Sequence, residues 1–214
     1  GARGRLCPRR AAALSAVAFL FAGGVNAVAE LAVLVVPGLY LLTRSGGRPK
    51  WTLLAWWLGC VAAVSMWWLV PLLLLGRYIF SFLPFIEDAA ATTGVTSLLN
   101  TLRGTSSWLA HLPQDGRAWL PAAFEQSTRP WLIAATAAVA ALGVGGLVRR
   151  STPERAFLAL SVLAGVVIVT AGHPGPLAFP WDEQVRAALD GVLAPFRNLH
   201  KFDALIRLPL ALGL

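Results

Sequence analysis

Residues 51–75 run for 25 positions without one charged side chain. A helix needs about 20 apolar residues to cross the hydrocarbon core of a bilayer, so this run is long enough. It is not alone. Residues 11–42 are interrupted by a single charge, Glu30, and residues 131–148 and 156–171 carry none. A further apolar run starts near Leu205 and continues to Leu214. Hydrophobic residues make up 57% of the 214 and charged ones 13%, where soluble domains average about 45–50% and about 25%. These proportions exclude a disordered chain and a water-soluble globular domain. The expected fold class is an all-α polytopic membrane protein. Its spans fall near 25–42, 51–75, 131–148 and 156–171, with the start of another at 205–214.

The formal net charge of +8 raises nucleic acid as a partner, which would require the basic side chains to gather on one soluble face. They do not gather in that way. Arg44, Arg48 and Lys50 separate the first two apolar regions, and Arg149, Arg150 and Arg155 separate the third and fourth. Short Lys/Arg-rich linkers stay on the cytoplasmic side. With Arg3, Arg5, Arg9 and Arg10, that side takes ten of the 18 basic residues. The excess is therefore a topology signal, the partner is the lipid bilayer, and no nucleic acid is implied. Segments 77–130 and 172–204 become outer loops. In the first of them Arg77, Arg103, Arg117 and Arg129 balance Glu87, Asp88, Asp115 and Glu125. Cys7 and Cys60 cannot build a disulfide framework.

The first region is ambiguous. Its 32 residues would make one helix of about 48 Å, too long for one crossing and short for two. Gly23, Gly24 and Asn26 interrupt it. It reads either as a re-entrant hairpin or, as we favour, an interfacial helix leading into one span at 25–42. Pro37 and Pro71 are expected to bend their spans. Trp51, Trp56, Trp57, Trp67 and Trp68 suit headgroup anchoring, although the Trp56–Trp57 pair also fits between helices. A start at Gly-Ala-Arg and a stop inside an apolar run lead us to expect a piece of a longer polytopic protein.

The outer segments carry helical patterns of their own. Val185, Ala188, Leu189, Val192, Leu193 and Phe196 recur at helical spacing behind Pro-Trp-Asp-Glu, as in an amphipathic helix lying on the outer membrane surface. Residues 87–103 are expected to hold another short helix capped by Thr or Ser.

No phosphate-cradling glycine loop, metal-ligand spacing or nucleophile elbow is present, and His111, His173 and His200 lie far apart. Three clusters remain. Glu87-Asp88 follows Arg77-Tyr78 at an apolar–aqueous boundary beside Phe80, Phe82 and Phe85. A carboxylate there fits a general base, with Asp88 the weaker of the two, and it equally fits a solvated helix start. Arg197, Asn198, His200, Lys201 and Asp203 gather just before the last apolar run. Such a set suits a lipid phosphate, and it also suits an interfacial collar of snorkelling side chains. Arg103 could hold a sugar or phosphate with Trp108 as a stacking platform, against a purely structural role. Glu30 is an intramembrane carboxylate of the kind that marks sites.

The runs Trp68-Leu-Val-Pro-Leu-Leu-Leu-Leu-Gly-Arg-Tyr78, Phe85-Ile-Glu-Asp88, Leu102-Arg-Gly-Thr-Ser-Ser-Trp108 and Ala194-Pro-Phe-Arg-Asn-Leu-His-Lys-Phe-Asp203, followed by Leu208-Pro-Leu-Ala-Leu-Gly213, resemble the actinobacterial α-(1→3)-arabinofuranosyltransferases of the AftD type. The resemblance covers the chain from about Ala11 onward. It implies part of a GT-C glycosyltransferase bundle in the plasma membrane, with its active face outside. It implies a decaprenyl-phosphoryl-arabinose donor and an arabinan acceptor that enters arabinogalactan and lipoarabinomannan. Carried over to this chain, Glu87 becomes the candidate base or acceptor-positioning residue, with Asp88 behind it. Arg197, His200 and Lys201 become candidates for the donor phosphate. Arg77, Tyr78, Arg103, Trp108, Asn198 and Asp203 become candidates for substrate binding. No metal ligands are assigned and no nucleotide or soluble cofactor is needed, while a divalent cation stays open. Ile79-Phe80-Ser81 departs from the family pattern, where a more polar, proline-containing stretch is expected. The rival readings are a transporter or flippase of a lipid-linked substrate and a non-catalytic scaffold.

Overall fold

Each of the long apolar runs holds helix in the computed structural model, which describes residues 6–22, 27–80 and 85–214. Gly23, Gly24 and Asn26, the expected interruption of the first run, lie outside the described residues, as do Arg3, Arg5, Ser81 and Phe82. Residues Arg48–Tyr78 and Pro130–Val148 are long and apolar enough to cross a membrane, and two further apolar helices are shorter. The chain divides into two units, Gly1–Phe82 and Leu83–Leu214.

The first unit contains α1 (Pro8–Leu20), α2 (Ala27–Thr43) and α3 (Arg48–Leu75), which ends in a 3₁₀ turn at Gly76–Tyr78. The first apolar region is thus two helices. Pro8 opens α1, where its missing N–H costs nothing. Ala12 and Phe19 of α1 cluster with Leu53, Trp57 and Val61 of α3 and Leu41 of α2. The Trp57 indole donates to Ser15 Oγ at 3.1 Å, so Trp57 packs between helices, while Trp51, Trp56 and Trp67 are exposed. α1 therefore lies against α3. Lys50 Nζ donates to the carbonyls of Leu42 and Arg44 at 2.8 and 2.9 Å, satisfying acceptors that the end of α2 leaves open. Pro37 and Pro71 sit inside their helices, and Glu30 is buried in the first turn of α2.

The second unit starts with two short helices where one is expected. α4 (Ala89–Thr93) is capped by Asp88, whose Oδ1 accepts from the Ala91 amide at 2.7 Å. α5 (Leu98–Arg103) is capped by Ser97. After a 3₁₀ turn at Trp108–His111, β1 (Pro113–Gln114) and β2 (Arg117–Ala118) form a small antiparallel hairpin. Asp115 and Gly116 both have positive φ, 52° and 75°, as a tight two-residue hairpin turn demands. Then follow α6 (Pro121–Thr128), α7 (Pro130–Val148), α8 (Arg155–Thr170), α9 (Asp182–Asp190), two 3₁₀ turns at Ala194–Phe196 and Leu199–Asp203, and α10 (Ala204–Gly213).

Leu189 and Val185 of α9 pack with Ala89, Ile168 and Leu199. The helix ends at Asp190, so Val192, Leu193 and Phe196 of the expected apolar set lie beyond it, and Val192 and Leu193 are exposed. Helical periodicity reports an apolar face but not what covers it.

Glycines set how α10 meets α7 and α8. A Cβ on Gly143 would come within 2.7 Å of the Leu210 carbonyl oxygen, and one on Gly165 within 2.6 Å of the Ile206 side chain. Gly146 faces the Gly213 main chain more closely still. Small residues let apolar helices approach backbone to backbone. Gly145, two positions from Gly143, has nothing within 4 Å of such a Cβ. Gly143→Ala should therefore destabilise the domain by about 1–3 kcal/mol through overpacking. Gly145→Ala should be neutral or stabilising by up to about 1 kcal/mol from helix propensity. Thermal unfolding of both variants in detergent checks the pair; equal effects would contradict the packing.

Candidate functional site

The chemistry-bearing residues of the second unit meet around a buried arginine. Arg197 follows the 3₁₀ turn Ala194–Phe196 and is 5% exposed. A guanidinium keeps its charge in a protein, so burial obliges it to find acceptors. Its Nε donates to the Leu189 carbonyl at 3.2 Å and faces Asp190 Oδ1 at 3.5 Å. Its Nη1 donates to the main-chain carbonyl of Glu87. Asp190 Oδ1 in turn accepts the Ala89 amide at 2.8 Å, one of the donors that the start of α4 would otherwise leave open. Arg197 and Asp190 together clamp the chain at Glu87 to the end of α9.

With its main chain held, Glu87 turns its side chain to the next residue of the same segment. Asn198 Nδ2 donates to Glu87 Oε1 at 2.6 Å, and Asn198 Oδ1 accepts from the Trp108 indole N–H at 2.9 Å. Three half-buried residues, 108, 198 and 87, thus form one hydrogen-bonded row. His200 and Lys201 follow in the 3₁₀ turn Leu199–Asp203, both half-buried. His200 Nδ1 is buried and has no hydrogen-bond partner among the described residues. Burial pushes the His200 pKa down, the neighbouring Lys201 ammonium adds to this, and the Glu87 carboxylate works against both. This imidazole is accordingly biased toward its neutral form, which can accept a proton or a hydrogen bond.

Asp203 ends the same turn. Burial pushes its pKa up, and Arg207, whose Nε lies 3.0 Å from Asp203 Oδ2, pulls it back down. Arg207 also donates to the carbonyls of Leu102, at 2.7 Å, and Thr101, closing the end of α5. Gly104 follows with φ 80°, the left-handed end that glycine favours.

Arg103 is 7% exposed and donates to Thr136 Oγ1 at 2.9 Å, Asn100 Oδ1 at 3.3 Å and the Gln126 carbonyl at 2.5 Å. Its burial pushes its pKa down. Arg103 and Arg207 border an apolar cavity of about 350 Å³ between α5, α7 and α10. Arg77 and Tyr78 belong to the first unit, both exposed, with the guanidinium 4.8 Å from the Tyr78 ring centre. Asp88 is occupied as the cap of α4. His173 Nδ1 meets the Thr93 carbonyl at 3.1 Å, and His111 packs edge-on to Phe124. Among the described residues no three His, Cys, Asp or Glu side chains group as a metal site. Neither Asp190 nor Arg207 is among the residues that the sequence singles out. Arg207 had a signal, a lone cation in an apolar run four residues after Asp203; Asp190 had none.

Comparison with known proteins now places the chain. Residues 2–214 match the family model described as alpha-(1->3)-arabinofuranosyltransferase, N-terminal GT-C domain. The chain belongs to this family. It is 43% identical over 212 residues to an alpha-(1->3)-arabinofuranosyltransferase of Mycolicibacterium smegmatis, covering 99% of the chain and 15% of that relative. It is 38% identical over 206 residues to one of Mycobacterium tuberculosis, covering 96% of the chain and 14% of the relative. The chain thus spans about a seventh of the length of these relatives. Among solved structures it is similar to the cryo-EM structure of arabinofuranosyltransferase AftD from mycobacteria. That likeness has a TM-score of 0.61 and 33% identity, over 98% of this chain and 12% of the other. A mutant of AftD gives a TM-score of 0.56 at 30% identity, with the same coverage.

The lowered pKa of His200 has a measurable consequence for this GT-C chain. Above about pH 6.5 both folded and unfolded chains carry a neutral imidazole, and the group adds no pH dependence. Below that value the unfolded chain takes up a proton that the folded chain resists. Stability therefore falls as pH drops from about 6.5 toward the lowered folded value. His200→Gln should flatten this part of the stability–pH curve, read as melting temperature in detergent. An unchanged slope would contradict it.

Proposed function

We propose that this chain is part of the membrane domain of a glycosyltransferase that moves arabinofuranose from decaprenyl-phosphoryl-arabinose onto arabinan, forming α-1,3 branches in arabinogalactan and lipoarabinomannan. The protein is a multi-pass GT-C helix bundle of the plasma membrane with its active face outside. Basic linkers at Arg44–Lys50 and Arg149–Arg155 support that orientation, because they place the segments carrying Glu87 and His200 on the opposite side.

The observation that carries the reading is the Glu87 carboxylate, held by Asn198 at 2.6 Å and close enough to His200 to act on its charge, in a chain of this family. The acceptor hydroxyl attacks the anomeric carbon, a new C–O bond forms and the bond to phosphate breaks. Glu87 takes the hydroxyl proton, and polyprenyl phosphate leaves as an anion. A phosphate leaving group needs nearby positive charge more than an acid. Lys201 supplies it, with His200 as a hydrogen-bonding neighbour. Arg197 serves this centre through the Glu87 main chain, since its guanidinium is already engaged by two carbonyls and Asp190.

The test is transfer of labelled arabinose from the decaprenyl donor to a short arabinan acceptor by the full-length enzyme. Glu87→Gln should lower kcat by about 10²-fold or more, the size expected for a lost general base. Lys201→Met should lower kcat by about tenfold or more through lost phosphate stabilisation. Full activity of Glu87→Gln at equal expression would overturn the assignment.

A further inference from the structure

The row formed by residues 108, 198 and 87 has a direction. An indole N–H can only donate, and an ionised carboxylate can only accept. Between them a side-chain amide has one orientation that satisfies both ends, with Oδ1 toward Trp108 and Nδ2 toward Glu87. That is the orientation observed, at 2.9 and 2.6 Å. The flipped amide would set oxygen against the carboxylate and NH₂ against the indole N–H, losing both bonds. Without Trp108 nothing in the row distinguishes the two states except the carboxylate itself.

We infer that Trp108 is a positioning residue of the transfer reaction, which through Asn198 fixes the Glu87 carboxylate with one oxygen tied and the other available to the acceptor hydroxyl. This rests on the assignment of Glu87 as base. It gives Trp108 a role through its N–H, distinct from stacking on a sugar. The geometry explains why a residue of the Trp108–His111 turn faces the segment before the last helix: the indole reaches across 90 positions of sequence to Asn198. Arg197 one residue earlier anchors the same segment to Glu87 from the main-chain side. Both constraints converge on a single carboxylate.

The charged groups around Glu87 are Asp88, next in sequence, Arg197 on its main-chain carbonyl and His200, which Lys201 adjoins, and the Trp108 and Asn198 variants leave them in place. Trp108→Phe keeps the ring and removes the donor. In the full-length enzyme it should lower kcat by about 3- to 30-fold, the range of one lost hydrogen bond to a charge-bearing row, with little change in KM for acceptor. A loss of positioning acts on the reacting complex and not on substrate affinity, so the effect is expected in kcat and not in KM. Asn198→Ala should lower kcat at least as far. Adding Trp108→Phe to Asn198→Ala should then change little, because both act through one row.

An unchanged kcat in Trp108→Phe, or full additivity with Asn198→Ala, would overturn the inference. So would a change confined to KM, which is the mark of a stacking platform. If Trp108→Phe fails to fold, Asn198→Ala decides: a lowered kcat at unchanged KM supports the row, and an unchanged kcat overturns it. Glu87→Gln measured alongside separates the two claims. If it is inactive while Trp108→Phe or Asn198→Ala keeps full kcat, the positioning role alone fails; if it is fully active, the base assignment fails.

Discussion

The second unit depends on one buried cation. Arg197 cannot shed its charge, so the fold around it must supply acceptors, and it does so with the Leu189 and Glu87 carbonyls and the Asp190 carboxylate. These acceptors come from two stretches of chain about a hundred residues apart. Meeting the guanidinium therefore brings the start of α4 against the end of α9. Asp190 then satisfies the first amide of α4, and Asn198, next to Arg197, lands on the Glu87 side chain. Arg197 is buried while the Asp190 side chain is exposed, so the two carbonyls matter most to the guanidinium and the ion pair itself adds little. A single electrostatic requirement thus sets the geometry of the candidate base.

The other side of the site is set by helix packing. His200 and Lys201 lie in the turn that runs directly into α10. α10 sits deep between α7 and α8, because Gly143, Gly146 and Gly165 present no side chain at the contacts. Arg207 ties that helix to the end of α5 and pairs with Asp203. The cationic turn is thereby held from below by close packing and from the side by a second arginine.

The helices were legible because an apolar run of twenty residues has few other ways to satisfy its backbone. The site was legible in part. Glu87, His200 and Lys201 stand out as polar groups at the ends of apolar stretches, and the structure gathers them. What Arg103, Arg197 and Arg207 do was not legible. A lone arginine in a sequence gives no sign of which carbonyls it will find, and these three find acceptors as much as 110 positions away. The direction of the Trp108 indole was hidden for the same reason. The Asp115-Gly116 turn went unread although Asp-Gly is a strong hairpin signal, because strands of two residues carry no alternating pattern. Resemblance to a family names the chemistry, while only the folded chain aligns the donors and acceptors.

The central claim is that the Glu87 carboxylate, held by the Arg197 clamp and Asn198, meets the acceptor hydroxyl. A cryo-EM structure of the full-length enzyme with polyprenyl phosphate and a short arabinan acceptor tests it most directly. The account predicts an acceptor hydroxyl within about 3.2 Å of the Glu87 carboxylate, with the phosphate against Lys201 and the Asn198 amide still donating to Glu87. An acceptor seated away from Glu87, its reacting hydroxyl facing a different carboxylate, would contradict it.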